Sequence, residues 1–169
     1  DGYPTSSDND WMVIGGGVDG EFSLGVLTNK SAFFSVKMTN GVWYALYSDT
    51  DLELDVWYHI AATYSDVDDE IKLYLNGTLV VERDIPSSPT IRPYSSINCI
   101  GRNNWGSSNT YFDGAIDEVR ISDEVLTQFD FSTPSILNSL WSYTTGGDVC
   151  TVEETHAASE CVAISADGK

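Results

Sequence analysis

The stretch that decides the fold class is 70-EIKLYLNGTLVVERD-84. Two strand-like segments flank Asn76-Gly77, a pair that favours the positive φ angles of a tight type I′ turn between antiparallel strands. Within 71-IKLYL-75, apolar residues stand at every second position, which is the pattern of a strand with one buried face. The stretch therefore predicts a β-hairpin that packs against an apolar core.

Segments of the same kind recur along the chain, separated by Gly, Asn, Asp and Pro at intervals of about ten residues. Asn40-Gly41 marks a second hairpin, and 122-SDEVLTQFD-130 is the one helical candidate, one or two turns with Ser122 as N-cap. The pattern predicts an all-β fold, an antiparallel two-sheet jelly-roll β-sandwich. The further predicted strands cover residues 11–15, 21–27, 32–38, 42–48, 57–65, 97–102 and 115–122.

The charge of the chain limits its partners. Its 169 residues include 26 acidic and 8 basic ones, a net charge of −18. Such a surface repels phosphate backbones and anionic headgroups, so we expect no nucleic-acid partner. No segment reaches the roughly 18 apolar residues that would span a bilayer, so we expect no membrane insertion. The polar start, residues 1–11, does not resemble a signal peptide, and the sequence is expected to be a mature product or a fragment.

The cysteines indicate the compartment. Cys150 and Cys161 lie in a polar tail, where a disulfide would close a small loop worth roughly 2–3 kcal/mol and would imply an oxidising compartment. Metal binding together with His156 is the alternative, although two Cys and one His form an incomplete zinc set. Cys99 lies in the apolar run 97-INCI-100 and is expected to be a buried free thiol.

Five blocks, in order and at the right spacing, resemble the laminin-G-like jelly roll of the concanavalin A-like lectin/glucanase superfamily. The resemblance implies a domain over residues 1–130, with two antiparallel sheets face to face and a concave sheet that often carries the ligand. Residues 131–169 are expected to form a C-terminal extension with the small disulfide loop. The blocks are 21-EFSLGV-26, 57-WYHIAATYS-65, 70-EIKLYLNGTLV-80, 99-CIGR-102 and 112-FDGAIDEVRISDEVL-126.

The acidic block 112–122 is expected to be structural, with Ile116, Val119 and Ile121 facing inward. We expect that no cofactor is required, but the resemblance implies a possible structural calcium ion, since such ions are common in the family. Asp113 and Asp117 offer the hard oxygen ligands that calcium prefers. The alternative is that these carboxylates are only hydrogen-bonded.

Catalysis is not expected. Glycoside hydrolases of the superfamily carry acids on one strand face as E-x-D-x-x-E or E-x-D-x-E, because retaining hydrolysis needs two carboxyls about 5–5.5 Å apart. Glu53 and Asp55 match the first two positions, but Trp57 and Tyr58 stand where the third acid belongs. His59 is expected to be a packed or edge histidine.

A polar and aromatic loop is the predicted ligand site. Trp105 lies among Asn, Gly and Ser and has no apolar neighbours in sequence, which suits stacking on a sugar ring beside groups that bind hydroxyls. The alternative is that Trp105 covers one end of the sandwich. In 42-VWYALY-47, either the Trp43 face or the Tyr44 face is core, and the other could form a platform. The loop site comprises Trp105, Asn103, Asn104, Arg102, Asn109 and Tyr111.

These observations predict a non-catalytic recognition or adhesion module of an extracellular or cell-surface protein, with a glycan or cell-surface glycoprotein as partner. The resemblance also implies that one or more first strands are missing. Three alternatives follow: the sequence is a fragment, residues 134–145 fold back into the gap, or a neighbouring copy donates a strand. The last case implies self-association through an incomplete sheet and a different function, the subunit of an extracellular fibre.

Overall fold

The computed structural model describes residues 11–16, 22–88, 90–91, 98–103, 110–129, 142–144 and 161–167. In this part of the chain all regular structure is β and no helix occurs, which confirms the predicted all-β class. No helix there is long and apolar enough to cross a membrane. The strands are β1 (Trp11–Gly16), β2 (Phe22–Val26), β3 (Ser31–Lys37), β4 (Trp43–Asp51), β5 (Tyr58–Ser65), β6 (Glu70–Leu75), β7 (Thr78–Asp84), β8 (Asn98–Ile100), β9 (Arg102–Asn103), β10 (Thr110–Tyr111), β11 (Ala115–Ser122), β12 (Ser142–Thr144) and β13 (Cys161–Asp167).

Two antiparallel sheets form the sandwich. The five-stranded sheet has the order β4-β3-β2-β1-β8, and the six-stranded sheet has the order β12-β11-β13-β5-β6-β7. Strands β9 and β10 pair with each other as a short ribbon beside β1. This arrangement is consistent with the predicted jelly roll.

The core lies between the inner faces of the two sheets. In the five-stranded sheet, Leu24 pairs with Phe34, and Phe34 pairs with Leu46 on β4. All three side chains are buried in one apolar cluster with Ile60 and Leu73 of the six-stranded sheet. Since side chains alternate along a strand, the intervening residues of β2, β3 and β4 face outward.

The two predicted hairpins are present, with different turns. Asn76 and Gly77 have φ angles of 49° and 75°, so both central residues occupy the left-handed region that a type I′ turn needs. At the other hairpin only Gly41 is left-handed, with a φ of 83°. Its N–H donates to the Met38 carbonyl, which fits a type I turn followed by a bulged glycine.

Strand β11 contains a bulge that redirects its end. Its register with β13 shifts between Asp117 and Arg120, and Glu118 has a φ of 52°. Ile116 is buried and Val119 packs against the core, as predicted. The prediction for Ile121 is wrong, because its side chain is 53% exposed. It lies beyond residues 115–117, where β12 covers the edge of β11.

The predicted helix at 122–130 does not form in its described part, residues 122–129. The expected capping contact exists, since the Glu124 N–H donates to Ser122 Oγ at 3.1 Å. Phe129, however, packs edge-on against Tyr74 at 4.8 Å between ring centroids. An isolated helix of two turns is marginal in water, so packing of the segment on the sheet decides its conformation.

The C-terminal extension contributes strands to the six-stranded sheet. Residues 161–167 form β13, which lies between β5 and β11, and residues 142–144 form β12 at the sheet edge. Of the predicted filler, residues 134–145, only residues 142–144 are described, as β12; that this segment replaces a missing first strand stays a prediction. Strand donation between copies stays a prediction.

Candidate functional site

Strand β4 presents an aromatic strip to solvent. Leu46 is buried in the core and Tyr44 packs against it, so the opposite face of the strand points outward. That face carries Trp43, 41% exposed, and Tyr47, 54% exposed, with Ala45 between them. We call these three residues the β4 strip. The structure thus decides which face of 42-VWYALY-47 is core, a choice that the sequence left open.

Strand β3 supports the strip from one side. Lys37 pairs with Trp43, Ser35 with Ala45, and Phe33 with Tyr47. The Lys37 Nζ lies 5.3 Å from the centroid of the Trp43 ring, a cation–π geometry that holds the ring in place. Phe33 is buried beside Tyr47. The two exposed rings therefore stand on a rigid pair of strands.

Further from β4, the described residues in the row of this face that runs through Ser35 are buried. Ser35 pairs with Ser23, Ser23 pairs with Gly15, and Gly15 pairs with Cys99 on β8. Ser23, Gly15 and Cys99 are all buried. The accessible surface of the outward face is thus concentrated at its β3–β4 margin.

The predicted loop site is only partly described. Arg102 and Tyr111 are paired residues of the β9–β10 ribbon, and the Arg102 guanidinium carbon lies 5.9 Å from the Tyr111 ring centroid. Tyr111 is exposed and Arg102 half-buried. The backbone of Asn103 pairs with Thr110. Asn104, Trp105 and Asn109 lie outside the described residues, so their place in the site stays a prediction.

The ribbon lies at the margin of the five-stranded sheet opposite to the β4 strip. Strand β9 follows β8 directly, and β8 is the edge strand of that sheet. Burial raises the pKa of the Cys99 thiol, and the nearby positive charge of Arg102 partly opposes this shift. Four strand spacings separate β8 from β4, about 19 Å. The Lys37–Trp43 pair on the β3–β4 margin and the Arg102–Tyr111 pair on the ribbon are therefore separate surface features.

The two carboxylates predicted as calcium ligands, Asp113 and Asp117, differ in their surroundings. Asp113 is exposed, and Asp117 Oδ1 accepts a hydrogen bond from the Glu118 N–H at 2.9 Å. Within the described ranges, no group of three or more His, Cys, Asp or Glu residues could hold a metal ion. The contact at Asp117 agrees with the hydrogen-bonded alternative, and calcium binding stays a prediction.

The acidic motif that resembles a hydrolase signature does not lie on a strand. Glu53 and Asp55 fall in the loop between β4 and β5, and both are exposed. Asp55 has a φ of 59°, while the Glu53 N–H donates to the Tyr58 hydroxyl at 3.1 Å. The same-face strand geometry that brings two carboxyls to the separation needed for retaining hydrolysis is absent at this motif.

His59 is the packed histidine that the sequence predicts. It is buried on β5, its backbone N–H donates to Asn76 Oδ1 at 2.9 Å, and its ring lies 5.5 Å from that of Phe129. Burial lowers the pKa of His59 below the ordinary value of 6.5, and the positive charge of Arg120 adds to the shift. The neutral imidazole is therefore part of the folded state.

This shift predicts a loss of stability in mild acid. Above pH 6.5, the histidine is mainly neutral in both the folded and the unfolded chain, so it adds no pH dependence. As the pH falls below 6.5, the unfolded chain takes up a proton before the folded one does. The free energy of unfolding then decreases by at most about 1.4 kcal/mol per pH unit, down to the pKa of the folded state.

Urea unfolding between pH 5 and 8 measures this effect in the His59→Gln variant. The variant is expected to lose the histidine component of the pH dependence, whereas His156→Gln, the matched change at the other histidine of the chain, should retain it. Equal pH profiles for His59→Gln and the unchanged protein would contradict the assignment.

The cysteine predictions are tested only at one position. Cys99 is buried and free, as its apolar neighbours predict. Cys150 lies outside the described residues, and only the backbone of Cys161 is described, in β13. The Cys150–Cys161 disulfide stays a prediction.

A laminin-G family model, described as the concanavalin A-like lectin/glucanases superfamily, matches residues 3–130. The chain belongs to this superfamily. A search of the curated proteins gave no match, and neither did a search of the solved structures. Membership in the superfamily suggests a carbohydrate-binding or adhesion module. Its laminin-G-like domains are generally non-catalytic, although the superfamily includes some glycosidases.

Proposed function

We propose that the chain is a non-catalytic glycan-binding module of a secreted or cell-surface protein, which recognises a glycan or a cell-surface glycoprotein. The observation that carries this proposal is the exposed β4 strip. Sugar rings pack their apolar C–H faces on aromatic side chains, while nearby polar groups bind their hydroxyls. Trp43 and Tyr47 supply the rings, and Ser35 and Lys37 lie beside them on β3.

Charge narrows the class of ligand. The net charge of −18 opposes binding of polyanions over long range. Asp49 and Asp51 are exposed on β4 beyond Tyr47, which adds local negative charge at that end of the strip. A neutral glycan carries no charge that this field would repel, and its hydroxyls can donate hydrogen bonds to carboxylates.

Trp43→Ala tests the proposal against a closely matched control. Trp57 is also 41% exposed but lies in the loop before β5. On a glycan array, we expect Trp43→Ala to weaken binding at least about tenfold, because it removes a stacking surface. Trp57→Ala should bind as the unchanged protein does. Equal losses of glycan binding in Trp43→Ala and Trp57→Ala would contradict a site on β4. Trp105→Ala on the same array tests the predicted loop site.

The purified chain and its variants also test the proposal that the module is non-catalytic. A glycosidase panel is expected to show no hydrolysis by the purified chain. Turnover of a β-glucan that disappears in Glu53→Gln would overturn this part of the proposal. Circular dichroism of each variant checks that a loss of binding or turnover is not a loss of the fold.

A further inference from the structure

We infer that the ligand of the β4 strip is a neutral linear oligosaccharide that lies along strand β4 and stacks on Trp43 and Tyr47 at two separate positions. This inference rests on the proposed function and adds the length and direction of the bound sugar chain. It excludes recognition of a single terminal sugar as the main mode of binding at this site.

The spacing of the two rings sets the minimum length of the ligand. Trp43 and Tyr47 are four positions apart on the same face of one strand, which corresponds to a separation of about 13 Å. One pyranose ring cannot contact two aromatic rings at that separation, but a chain of roughly three rings can span it. Ala45, between the two, is small and leaves room for the middle of such a chain.

The burial of neighbouring residues sets the direction of the ligand. A sugar chain that crossed the sheet from β4 toward β8 would have to lie over Phe33, Ser23 and Cys99, all of which are buried. Along β4, by contrast, Trp43, Tyr47 and Asp49 are exposed, and Ala45 between the two aromatic residues is half-buried. The accessible path therefore runs parallel to the edge strand.

The support beneath the rings favours an extended ligand. Lys37 holds Trp43 through its cation–π contact at 5.3 Å, and Tyr47 stands beside the buried Phe33. Both aromatic residues are thus placed on paired strands rather than on a loop. Two fixed platforms lose little side-chain entropy on binding, which rewards a ligand that contacts both at once.

Isothermal titration with size ladders tests the inference. The probes are cello-, xylo-, manno- and laminari-oligosaccharides, each from the monosaccharide to the hexasaccharide. For the ladder that binds, the affinity should rise at least about tenfold between the monosaccharide and the tetrasaccharide and then level off. Trp43→Ala and Tyr47→Ala should each remove most of this rise, while Trp57→Ala should leave it unchanged.

Tyr47→Phe keeps the aromatic ring and serves as the control for folding. This variant should retain the rise of affinity with oligosaccharide length. A monosaccharide that binds as tightly as the hexasaccharide would overturn the inference and leave the proposed function standing. The inference would likewise fail if affinity rose with length but neither alanine variant on β4 reduced it. Absence of binding to every sugar, on the ladders and on the glycan array, would refute the proposed function itself.

Discussion

Replacing Leu24 with alanine is expected to lower the free energy of unfolding by about 3 kcal/mol. Leu24 is fully buried at the centre of the five-stranded sheet, where it pairs with Ile14 on one side and Phe34 on the other. Its truncation removes apolar contacts and leaves a cavity that two rigid sheets cannot close. Because β2 is an interior strand, the cavity would lie within the sandwich rather than at a margin.

Urea denaturation, monitored by tryptophan fluorescence, measures this change in the free energy of unfolding. Leu54→Ala is the control, since Leu54 is exposed in the loop between β4 and β5; we expect it to change stability by less than about 0.5 kcal/mol. A similar loss of stability in Leu24→Ala and Leu54→Ala would mean that the core does not lie where the sheet registers place it.

Replacing Ser48 with alanine is expected to cost about 2 kcal/mol, because it leaves a buried backbone donor without its acceptor. The Ala32 N–H donates to Ser48 Oγ at 2.9 Å, and that hydroxyl donates to the Thr50 carbonyl at 3.1 Å. Both contacts occur where the register of β3 with β4 shifts, between Ser31 and Phe33. The serine thus replaces a ladder hydrogen bond that the irregular pairing removes.

Thermal and urea unfolding of Ser48→Ala, compared with Ser87→Ala at an exposed bend after β7, measure the cost. The buried site should lose the stated amount and the exposed one less than about 0.5 kcal/mol. Since Ser48 follows Tyr47 directly, binding to the sugar ladder should also weaken in Ser48→Ala. An unchanged stability would show that the Ala32 N–H finds another acceptor.

The features that the sequence predicts correctly depend on near neighbours along the chain. The turn at Asn76-Gly77 follows from the φ angles that these two residues tolerate, and the buried face of 71-IKLYL-75 follows from alternation with a period of two. The order of the blocks extends the prediction to the fold class, because five matched segments define the spacing of the strands. None of these features requires knowledge of a distant contact.

The features that the sequence does not predict depend on distant contacts. Ile121 follows the bulge of β11, whose position is set by the register with β13, and the segment after Ser122 contacts β6 through Phe129 instead of forming a helix. The outward face of 42-VWYALY-47 is set by the pairing of Leu46 with Phe34. Within the segment itself, both faces contain aromatic residues, so alternation alone cannot choose between them.

The position of β13 has a consequence for the order in which the molecule assembles. During synthesis, β5 and β11 emerge well before residues 161–167, which pair with both of them. Until that segment arrives, each of these strands exposes a row of unpaired backbone groups, which is a hazard for aggregation. Hairpins such as β6–β7 can form early, because their contacts are local. The six-stranded sheet therefore cannot close until this late segment has been made. A chain interrupted after β11 would retain the β4 strip but would lack the strand that joins β11 to β5 in the opposite sheet.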